Sequence, residues 1–232
     1  MKPHNIQHLP KITATSSGRN LVIGDIHGCF YTFQHLLENV IKLTAQDQLF
    51  LLGDYINRGK RSAKVLDYII QLQAQHYQVY PLRGNHEQMF LQAYGCGTDF
   101  FEAFLDQYHS SDLMNERLDD YLEFCDGLVY GFILDNYLLT HLPLSHNGQE
   151  AALQLNRVFP QVKYTFDHQI TQTIIHGHQA ISLEQIKYSL TNSTTTINLD
   201  SGCVYASNPA LGHLCALDLN NYRLYTQQNI DN

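Results

Sequence analysis

The chain has 232 residues, 44% of them hydrophobic and 11% aromatic, and its 14 basic and 22 acidic side chains give a formal charge of −8. This composition can bury a full hydrophobic core, which excludes intrinsic disorder. The acidic excess and the absence of a Lys/Arg run disfavour a protein that binds nucleic acid or a membrane surface. No apolar window reaches the roughly 18 residues of a transmembrane helix, and the first residues lack the apolar segment of a signal peptide.

Cysteine and histidine usage adds two expectations. The five cysteines include no C-x-x-C pair, so we expect reduced thiols and a cytoplasmic protein, with one disulfide as the alternative. Thirteen histidines are many for a chain of this length. Metal ligation is a common reason for a protein to need several histidines.

The first part of the chain alternates short apolar runs with helical patterns. We predict strands at 20–24, 48–52 and 77–82, because each is a short apolar run followed by polar, glycine-containing residues. Apolar residues then recur at helical spacing after each strand, which predicts helices at 30–41, 63–73 and from 89 onward. This alternation is typical of a layered α/β architecture.

Residues 95–127 interrupt the alternation. Their aromatic and aliphatic side chains predict two amphipathic helices, which either cover part of a site or only add to the core. From residue 128 strand-like runs dominate, and we predict strands at 128–134, 137–141, 173–176, 181–190, 195–199 and 213–219. No repeat or linker divides the chain, so we expect a single domain over residues 1–232 with a helical insert at about 95–127.

Three of the predicted strand ends carry related polar motifs. They read G-D-I-H-G at 24–28, G-D-Y-I-N-R-G at 53–59 and R-G-N-H-E at 83–87. Each motif alone is also what a turn or a helix N-terminus prefers, but three in this order are too many for chance. The carboxyl ends of neighbouring strands meet at one edge of a sheet. The side chains expected to meet there are Asp25, His27, Asp54 and Asn85.

The chemistry of these side chains indicates a metal site. Carboxylate, imidazole and amide groups form a mixed nitrogen and oxygen donor set that suits divalent first-row metals. None of the three motifs contains a cysteine, which argues against a thiolate zinc site. One aspartate shared between two ions is a usual way to hold a dinuclear pair. Such a pair can clamp the attacking and leaving oxygens of a displacement at phosphorus.

The three motifs in this order resemble those of the PPP-type metallophosphatases, in the calcineurin-like superfamily, which includes phosphoprotein phosphatases and symmetrical dinucleoside tetraphosphate hydrolases. The amino-acid sequence at 24–29, 51–59 and 81–89 looks most like that of the small bacterial and phage serine/threonine phosphatases. The resemblance runs from about residue 21 to residue 219. It implies an α/β fold in which two mixed β-sheets are sandwiched between helices.

The resemblance also implies ligands for two divalent metal ions. The implied ligands of the first ion are Asp25, His27 and Asp54. The implied ligands of the second ion are Asp54, Asn85, His141 and His178, the last two being the family's late histidines at strand ends. Mn²⁺ is the first expectation for the metal, with Fe or Zn as alternatives. His176 lies outside the family's ligand pattern, and we interpret it as a packed strand histidine.

Roles in the reaction follow from the same resemblance. A hydroxide held between the ions would attack phosphorus in line, and His86 would protonate the leaving oxygen or stabilise its charge. Arginines bind phosphate oxygens through their guanidinium forks, and the implied phosphate-binding residues are Arg58, Arg83 and Arg157. The last is the weakest match, because the family often has a tryptophan beside this arginine and the chain has none. Asp200 and Gly202 resemble a family turn, and we interpret them as structural.

Asn57 departs from the pattern of the phosphoprotein phosphatases. They usually have an aspartate here, which orients and charges the catalytic histidine. An amide can accept a hydrogen bond but brings no charge, so we expect a less stabilised His86 imidazolium and either slower chemistry or a lower pH optimum. Dinucleoside tetraphosphate hydrolases also lack this aspartate.

We therefore predict a metal-dependent phosphatase that hydrolyses phosphomonoesters, in the first place a protein serine/threonine phosphatase, with activity on phosphotyrosine left open. The alternative is a symmetrical dinucleoside tetraphosphate hydrolase. A non-catalytic pseudoenzyme that binds metal or phosphate is the second alternative. The expected partner is a phosphoprotein or a small phosphoester.

Overall fold

A computed structural model describes residues 6–7, 9–160, 163–166, 169–192 and 194–231. Its strands in chain order are β1 (Ile6–Gln7), β2 (Lys11–Ile12), β3 (Asn20–Ile23), β4 (Gln48–Leu51), β5 (Gln78–Pro81), β6 (Gly131–Leu134), β7 (Tyr137–Thr140), β8 (Lys163–Tyr164), β9 (Thr173–His176), β10 (Thr196–Asn198), β11 (Asp200–Ser201), β12 (His213–Asp218) and β13 (Arg223–Gln228). Its helices are α1 (Phe30–His35), which continues as a π-helical segment (Leu36–Ile41), α2 (Ser62–Ala74), α3 (Asn85–Gly95), α4 (Thr98–Gln107), α5 (Leu118–Gly127), α6 (Gly148–Val158) and α7 (Leu183–Thr191).

Most of these strands form two mixed sheets. In the first, the order is β11-β12-β3-β4-β5, with β13 paired to β12, and β3, β4 and β5 run parallel. In the second, the order is β10-β9-β7-β6-β2, and β7, β9 and β10 run parallel. The parallel strands of each sheet bring their carboxyl ends to one edge, which is where the polar motifs begin.

The core lies in layers on both faces of each sheet. Between the two sheets, Val22 and Phe50 of the first pack in one apolar cluster with Phe132 and Ile175 of the second. Helices cover the outer faces: α1 to α5 pack on the first sheet, and α6 packs on the second. The alternation of side chains along each strand explains this, because successive residues point to opposite faces of a sheet. The predicted fold class, two mixed sheets between helices, is confirmed.

Helical structure in the 95–127 segment agrees with the sequence expectation. It consists of α4, a 3₁₀ turn (Ser111–Leu113) and α5. The amphipathic helices bury Phe101, Phe104 and Tyr121 against the helical layer of the first sheet. Among the described residues, no helix is long and apolar enough to cross a membrane.

One predicted strand is wrong. Residues 181–190 form the helix α7, because Ser182 caps its N-terminus by accepting a hydrogen bond from the Gln185 backbone. The Gln185 side chain in turn accepts one from the Ser182 backbone N–H, which completes a capping box. Only Ile186 of this helix is buried. The β-branched and aromatic residues that favoured a strand therefore lie on a mostly exposed helix, and the local cap decides the structure.

Candidate dinuclear metal centre

Backbone hydrogen bonds fix the turns of the first two motifs against each other. The N–H groups of Ile26 and His27 both donate to the Asp54 carbonyl oxygen, at 3.1 and 2.8 Å. The Gly28 N–H donates to the Tyr55 carbonyl oxygen at 2.8 Å. These bonds extend the β3–β4 pairing past the strand ends. The side chains of both motifs are therefore held by a rigid part of the sheet.

Glu87 connects the third motif to the second. Its carboxylate is fully buried and accepts hydrogen bonds from the backbone N–H groups of Asp54 (2.9 Å), Tyr55 (2.8 Å) and Gly84 (2.9 Å). No role was predicted for Glu87 from the sequence. Its position in the R-G-N-H-E motif, next to the proposed acid, is a signal that could have identified it. The Ile56 N–H is a fourth, longer donor at 3.4 Å. A buried carboxylate with four backbone donors holds the turn that presents Asp54.

The first group of possible ligands gathers around one oxygen of Asp54. Donor atoms of His27, Asp54 and His86 all lie within 4.8 Å of one another. The Asp54 Oδ2 atom is 3.5 Å from His27 Nε2 and 3.9 Å from His86 Nε2. The His27 Nδ1 atom lies 3.0 Å from the Ile56 carbonyl oxygen. A carbonyl oxygen can only accept, so Nδ1 carries the hydrogen and donates it. This bond fixes the tautomer that leaves the His27 Nε2 lone pair facing Asp54.

The second group gathers around the other oxygen of Asp54. It contains Asp54, His141 and His178, whose donor atoms also lie within 4.8 Å of one another. The Asp54 Oδ1 atom is 3.4 Å from His141 Nε2, and Asn85 Oδ1 is 2.8 Å from both His141 Nε2 and His178 Nδ1. His141 Nδ1 lies 3.0 Å from the Leu52 carbonyl oxygen, which again directs Nε2 toward the group. All four residues predicted for the second ion come together here.

Asp25 lies at the same strand edge but is not part of the first group. Its two carboxylate oxygens accept from the His178 backbone N–H, at 3.2 and 3.0 Å. The close approach requires glycine at 177, because a Cβ there would overlap Asp25 Oδ1. Burial raises the pKa of Asp25 well above its ordinary value, and the charges of Asp200 and Asp54 raise it further. Its place as a ligand of the first ion stays a prediction.

Several of these side chains are presented by strained backbone. Positive φ angles occur at His27 (48°), Asp54 (53°), Asn57 (72°), Arg58 (69°) and His178 (73°). This left-handed region is uncommon for residues with a Cβ, and each such residue costs about 1 kcal/mol or more. The backbone bonds across the turns hold the residues there. Strain of this kind concentrates at functional sites.

The electrostatics of the cluster fit a cation. Burial raises the pKa of Asp54 to about 7. The hydrogen bond from the His86 backbone and the charge of Arg58 lower this pKa, but they do not outweigh burial. Burial also lowers the pKa of His141 to about 3 and of His178 to about 4. The histidines are therefore neutral at pH 7, and their lone pairs converge with carboxylate and amide oxygens. Such an inward-facing set of acceptors is the donor chemistry of a divalent metal centre.

His86 is held from two sides. Its Nδ1 atom is 2.9 Å from the Asn57 side-chain nitrogen, and its ring packs edge-on against Tyr108 with 5.8 Å between centroids. Burial and the Arg58 charge lower the pKa of His86 to about 3. Asn57 is fully buried, and its Oδ1 atom has no hydrogen-bond partner among the described residues. The pair predicted from the motifs is thus in contact.

Of the three predicted phosphate-binding arginines, Arg58 lies at the cluster. It is exposed, its Nη1 atom is 2.7 Å from His27 Nε2, and its guanidinium lies 5.8 Å from the centre of the Tyr205 ring. A guanidinium in this place reaches both the ligand cluster and the solvent. Binding of phosphate by Arg58 stays a prediction.

The other two arginines have different surroundings. Arg83 is buried, and its guanidinium donates to Tyr130 Oη (2.9 Å), to Gln88 Oε1 (3.2 Å) and to the Asp126 carbonyl oxygen. These bonds tie the third motif to the segment that follows α5. Arg157 is exposed near the end of α6, and within the described ranges its side chain makes no hydrogen bond or ion pair. Binding of phosphate by either residue stays a prediction.

Two residues that we interpreted as structural have matching contacts. His176 is buried, and its Nδ1 atom lies 2.9 Å from the Gly177 carbonyl oxygen. Asp200 Oδ1 accepts from the Gly202 N–H at 2.8 Å, which closes a tight turn with glycine at a φ of 59°. Asp200 also faces the site, since its charge is one of the causes that raise the pKa of Asp25.

Comparison with known proteins gives the same family as the motifs. The profile of the calcineurin-like phosphoesterases matches residues 18–210. A symmetrical bis(5'-nucleosyl)-tetraphosphatase from Buchnera aphidicola subsp. Baizongia pistaciae is 37% identical over 108 residues, which are 47% of this chain and 34% of that protein. The chain thus matches this curated relative over about a third of the relative's length.

Solved structures share the fold at low sequence identity. A putative diadenosine tetraphosphatase has a TM-score of 0.65 at 17% identity and covers 97% of this chain and 100% of its own. A protein serine/threonine phosphatase from Saccharomyces cerevisiae has a TM-score of 0.64 at 15% identity and covers 97% of this chain and 84% of its own. The chain therefore belongs to the calcineurin-like phosphoesterases, a family of metal-dependent phosphoester hydrolases that use a dinuclear divalent metal centre.

Proposed function

We propose that this protein hydrolyses dinucleoside polyphosphates symmetrically at a dinuclear metal centre. The observation that carries the phosphoesterase part is the position of Asp54, whose two carboxylate oxygens each belong to one of the two donor groups. The substrate part is supported by the 37% identity to a symmetrical bis(5'-nucleosyl)-tetraphosphatase. Asn57 supports the same substrate class, since such hydrolases lack the aspartate of the phosphoprotein phosphatases.

In this proposal the predicted ligands would hold two divalent ions, with Mn²⁺ as the first candidate. One ion would be held by Asp25, His27 and Asp54, and the other by Asp54, Asn85, His141 and His178. Bound there, the ions supply Lewis acidity at phosphorus and lower the pKa of water. The overall reaction adds one water: a new P–O bond forms at an inner phosphorus, the bridging P–O bond breaks, and two nucleoside diphosphates leave.

The chain's own residues orient the substrate and handle the proton. Arg58 binds the phosphate oxygens, because its exposed guanidinium lies against His27 at the edge of the cluster. In the observed amide orientation, Asn57 donates from Nδ2 to His86 Nδ1, so the proton of the neutral imidazole lies on Nε2. That nitrogen faces Asp54 at 3.9 Å. His86 stabilises the leaving oxygen by donating a hydrogen bond from Nε2, and in its imidazolium form it transfers that proton and returns to the neutral imidazole.

The protein serine/threonine phosphatase that the motif wording predicts is the second candidate. The wording at 24–29, 51–59 and 81–89 favours it, whereas the curated relative favours the dinucleotide. Three statements stay predictions: the particular resemblance to the small bacterial and phage enzymes, the cytoplasmic location and the pseudoenzyme alternative.

A substrate panel separates these candidates. Protein reconstituted with Mn²⁺, Fe²⁺ or Zn²⁺ is assayed on diadenosine tetraphosphate, phosphoserine and phosphotyrosine peptides, and p-nitrophenyl phosphate, with Asp54→Asn as the inactive control. We expect turnover of the dinucleotide with ADP as the only nucleotide product. AMP and ATP as products would contradict the symmetrical cleavage, and turnover of the peptides alone would make the second candidate correct. Two bound ions without turnover of any substrate would support the pseudoenzyme.

A further inference from the structure

A cavity of about 390 Å³ lies between α3 and α4, directly beside the ligand cluster. Its volume falls in the range of about 300–1,000 Å³ that is typical of small-molecule sites. Met89 on its wall has its Sδ atom 3.9 Å from the Asn85 side-chain nitrogen. Tyr108, on the opposite side, packs against the His86 ring. Two residues of the cavity wall therefore contact Asn85, a predicted metal ligand, and His86, the proposed acid.

The lining of the cavity selects a neutral, planar group. None of its described residues carries a charge at neutral pH, so a phosphate gains nothing there. The wall is aromatic: the rings of Phe104 and Tyr108 lie 4.7 Å apart, and Phe100 presents a side chain that is 58% exposed. Flat aromatic surfaces of this kind stack with nucleobases regardless of their sequence.

Two amide side chains add polar contacts at the rim. Gln92 and Gln107 both line the cavity and are both exposed. A glutamine amide offers one donor and one acceptor side by side, which matches the N6 and N7 edge of adenine. An aliphatic peptide side chain could make no hydrogen bond to these amides. The combination favours a purine base over an apolar residue of a peptide.

The same cavity is connected to the phosphate-binding side. The Arg58 backbone N–H donates a hydrogen bond to the Tyr108 carbonyl oxygen at 2.6 Å. This bond links the proposed phosphate-binding residue to the wall of the cavity. A leaving group at His86 therefore lies close to Tyr108, because the two rings are in contact. For a dinucleoside tetraphosphate, that leaving group is a nucleoside diphosphate with its base at the far end.

We propose that this cavity binds the nucleobase of the leaving nucleoside diphosphate and so makes the enzyme select dinucleoside polyphosphates over simple phosphomonoesters. This inference rests on the proposed function, because it needs a substrate with a base. The recognition is by stacking on Phe100 and Tyr108 and by hydrogen bonds to Gln92 and Gln107. The metal ligands take no part in it.

Two variants test the cavity, together with one control. Phe100→Ala removes an exposed stacking surface, and Ala103→Trp fills the space with a larger side chain. The control is Tyr188→Ala, since Tyr188 is 69% exposed on α7 and does not line the cavity. The measured quantity is the ratio of kcat/KM for diadenosine tetraphosphate to kcat/KM for p-nitrophenyl phosphate. A calorimetric titration with ADP measures binding without turnover.

In both cavity variants we expect the ratio to fall about tenfold or more, mainly through KM of the dinucleotide, with a matching loss of ADP affinity. Tyr188→Ala keeps the wild-type ratio. If the wild type hydrolyses the dinucleotide but neither cavity variant changes the ratio or ADP binding, the inference is wrong and the proposed function stands. If the wild type hydrolyses p-nitrophenyl phosphate but not the dinucleotide, both are wrong. A selective loss on phosphopeptides would assign the cavity to a peptide side chain instead.

Discussion

The Asn57 side-chain amide lies 2.9 Å from His86 Nδ1, and both residues are buried. A histidine in this setting has an orienting partner but no neighbouring carboxylate on that side to stabilise its charged form. Burial and the Arg58 charge lower its pKa to about 3. His86 is therefore neutral at pH 7, so only a small imidazolium fraction is present to act as the proposed acid.

Asn57→Asp should change this balance. A carboxylate in hydrogen-bond contact with the imidazole raises its pKa by about 1–3 units. Because the proposed acid must be protonated, kcat should rise severalfold, and the alkaline limb of its pH profile should move to higher pH by at least about one unit. Asn57→Ser, which removes the amide without adding charge, is the control. If Asn57→Asp leaves both kcat and the pH profile unmoved, the proposed role of His86 is wrong.

Glu87→Gln tests the connection between the second and third motifs. The new amide presents an NH₂ group to at least one of the backbone N–H groups of Asp54, Tyr55 and Gly84, so a buried donor loses its acceptor. We expect unfolding to require about 2–3 kcal/mol less free energy, measured by urea denaturation. Activity should also fall, because the Asp54 turn loosens. Glu123→Gln, an exposed change on α5, is the control, and equal stability of the two variants would contradict this account.

Asp231, which is about 200 positions away in the sequence, caps the N-terminus of α1. Its carboxylate accepts from the Tyr31 N–H (3.0 Å), the Thr32 N–H (2.8 Å) and Thr32 Oγ1 (2.7 Å), while the N-cap residue Cys29 gives no side-chain cap. It therefore replaces the missing cap. Asp231→Ala should lower the free energy of unfolding by about 1–2 kcal/mol, as thermal denaturation would report. A loss no greater than that of the exposed Asp106→Ala would refute the capping role.

Asp47 gives a pH dependence that is remote from the metal centre. Burial alone would raise its pKa, but hydrogen bonds from Arg19 and Thr44 outweigh burial and lower the pKa from 3.8 to about 2. A depressed pKa stabilises the fold above the unfolded-state value, and this contribution is lost as the pH falls from about 4 to about 2.

Asp47→Asn should therefore lower the free energy of unfolding by about 2 kcal/mol at pH 7 and by much less at pH 2. Chemical denaturation of both proteins across this pH range measures the difference. Asp106→Asn, an exposed change on α4, is the control. A difference between wild type and Asp47→Asn that is constant from pH 7 to pH 2 would exclude the ion pair as its source.

Much of the metal-ligand cluster could be predicted from the sequence because strand ends decide it. The motifs at Asp25, Asp54 and Asn85 follow three parallel strands, and parallel strands bring their carboxyl ends to one edge. His141 and His178 were harder, since they belong to the second sheet. Only the family resemblance located them, and nothing in local spacing says how two sheets face each other.

The features that were missed depend on tertiary contacts or on a local cap. The Ser182 capping box made a helix of the predicted strand at 181–190. The bond network of Arg83 joins residues more than forty positions apart, and the contact of Asp231 with Thr32 spans almost the whole chain. Sequence patterns predict which residues are neighbours along the chain or on the same helix or strand. They give no register between distant segments until the fold is known.

The shared carboxylate of Asp54 is the central claim, and metal stoichiometry tests it most directly. Wild type and Asp54→Asn are loaded with Mn²⁺, freed of loosely bound metal and analysed by native mass spectrometry and elemental analysis, with Asp106→Asn as the control. We predict two ions per chain in wild type and the control, and fewer than one in Asp54→Asn, because both sites lose a ligand. Two tightly held ions in Asp54→Asn, or a single ion in wild type, would contradict the dinuclear centre described for this protein.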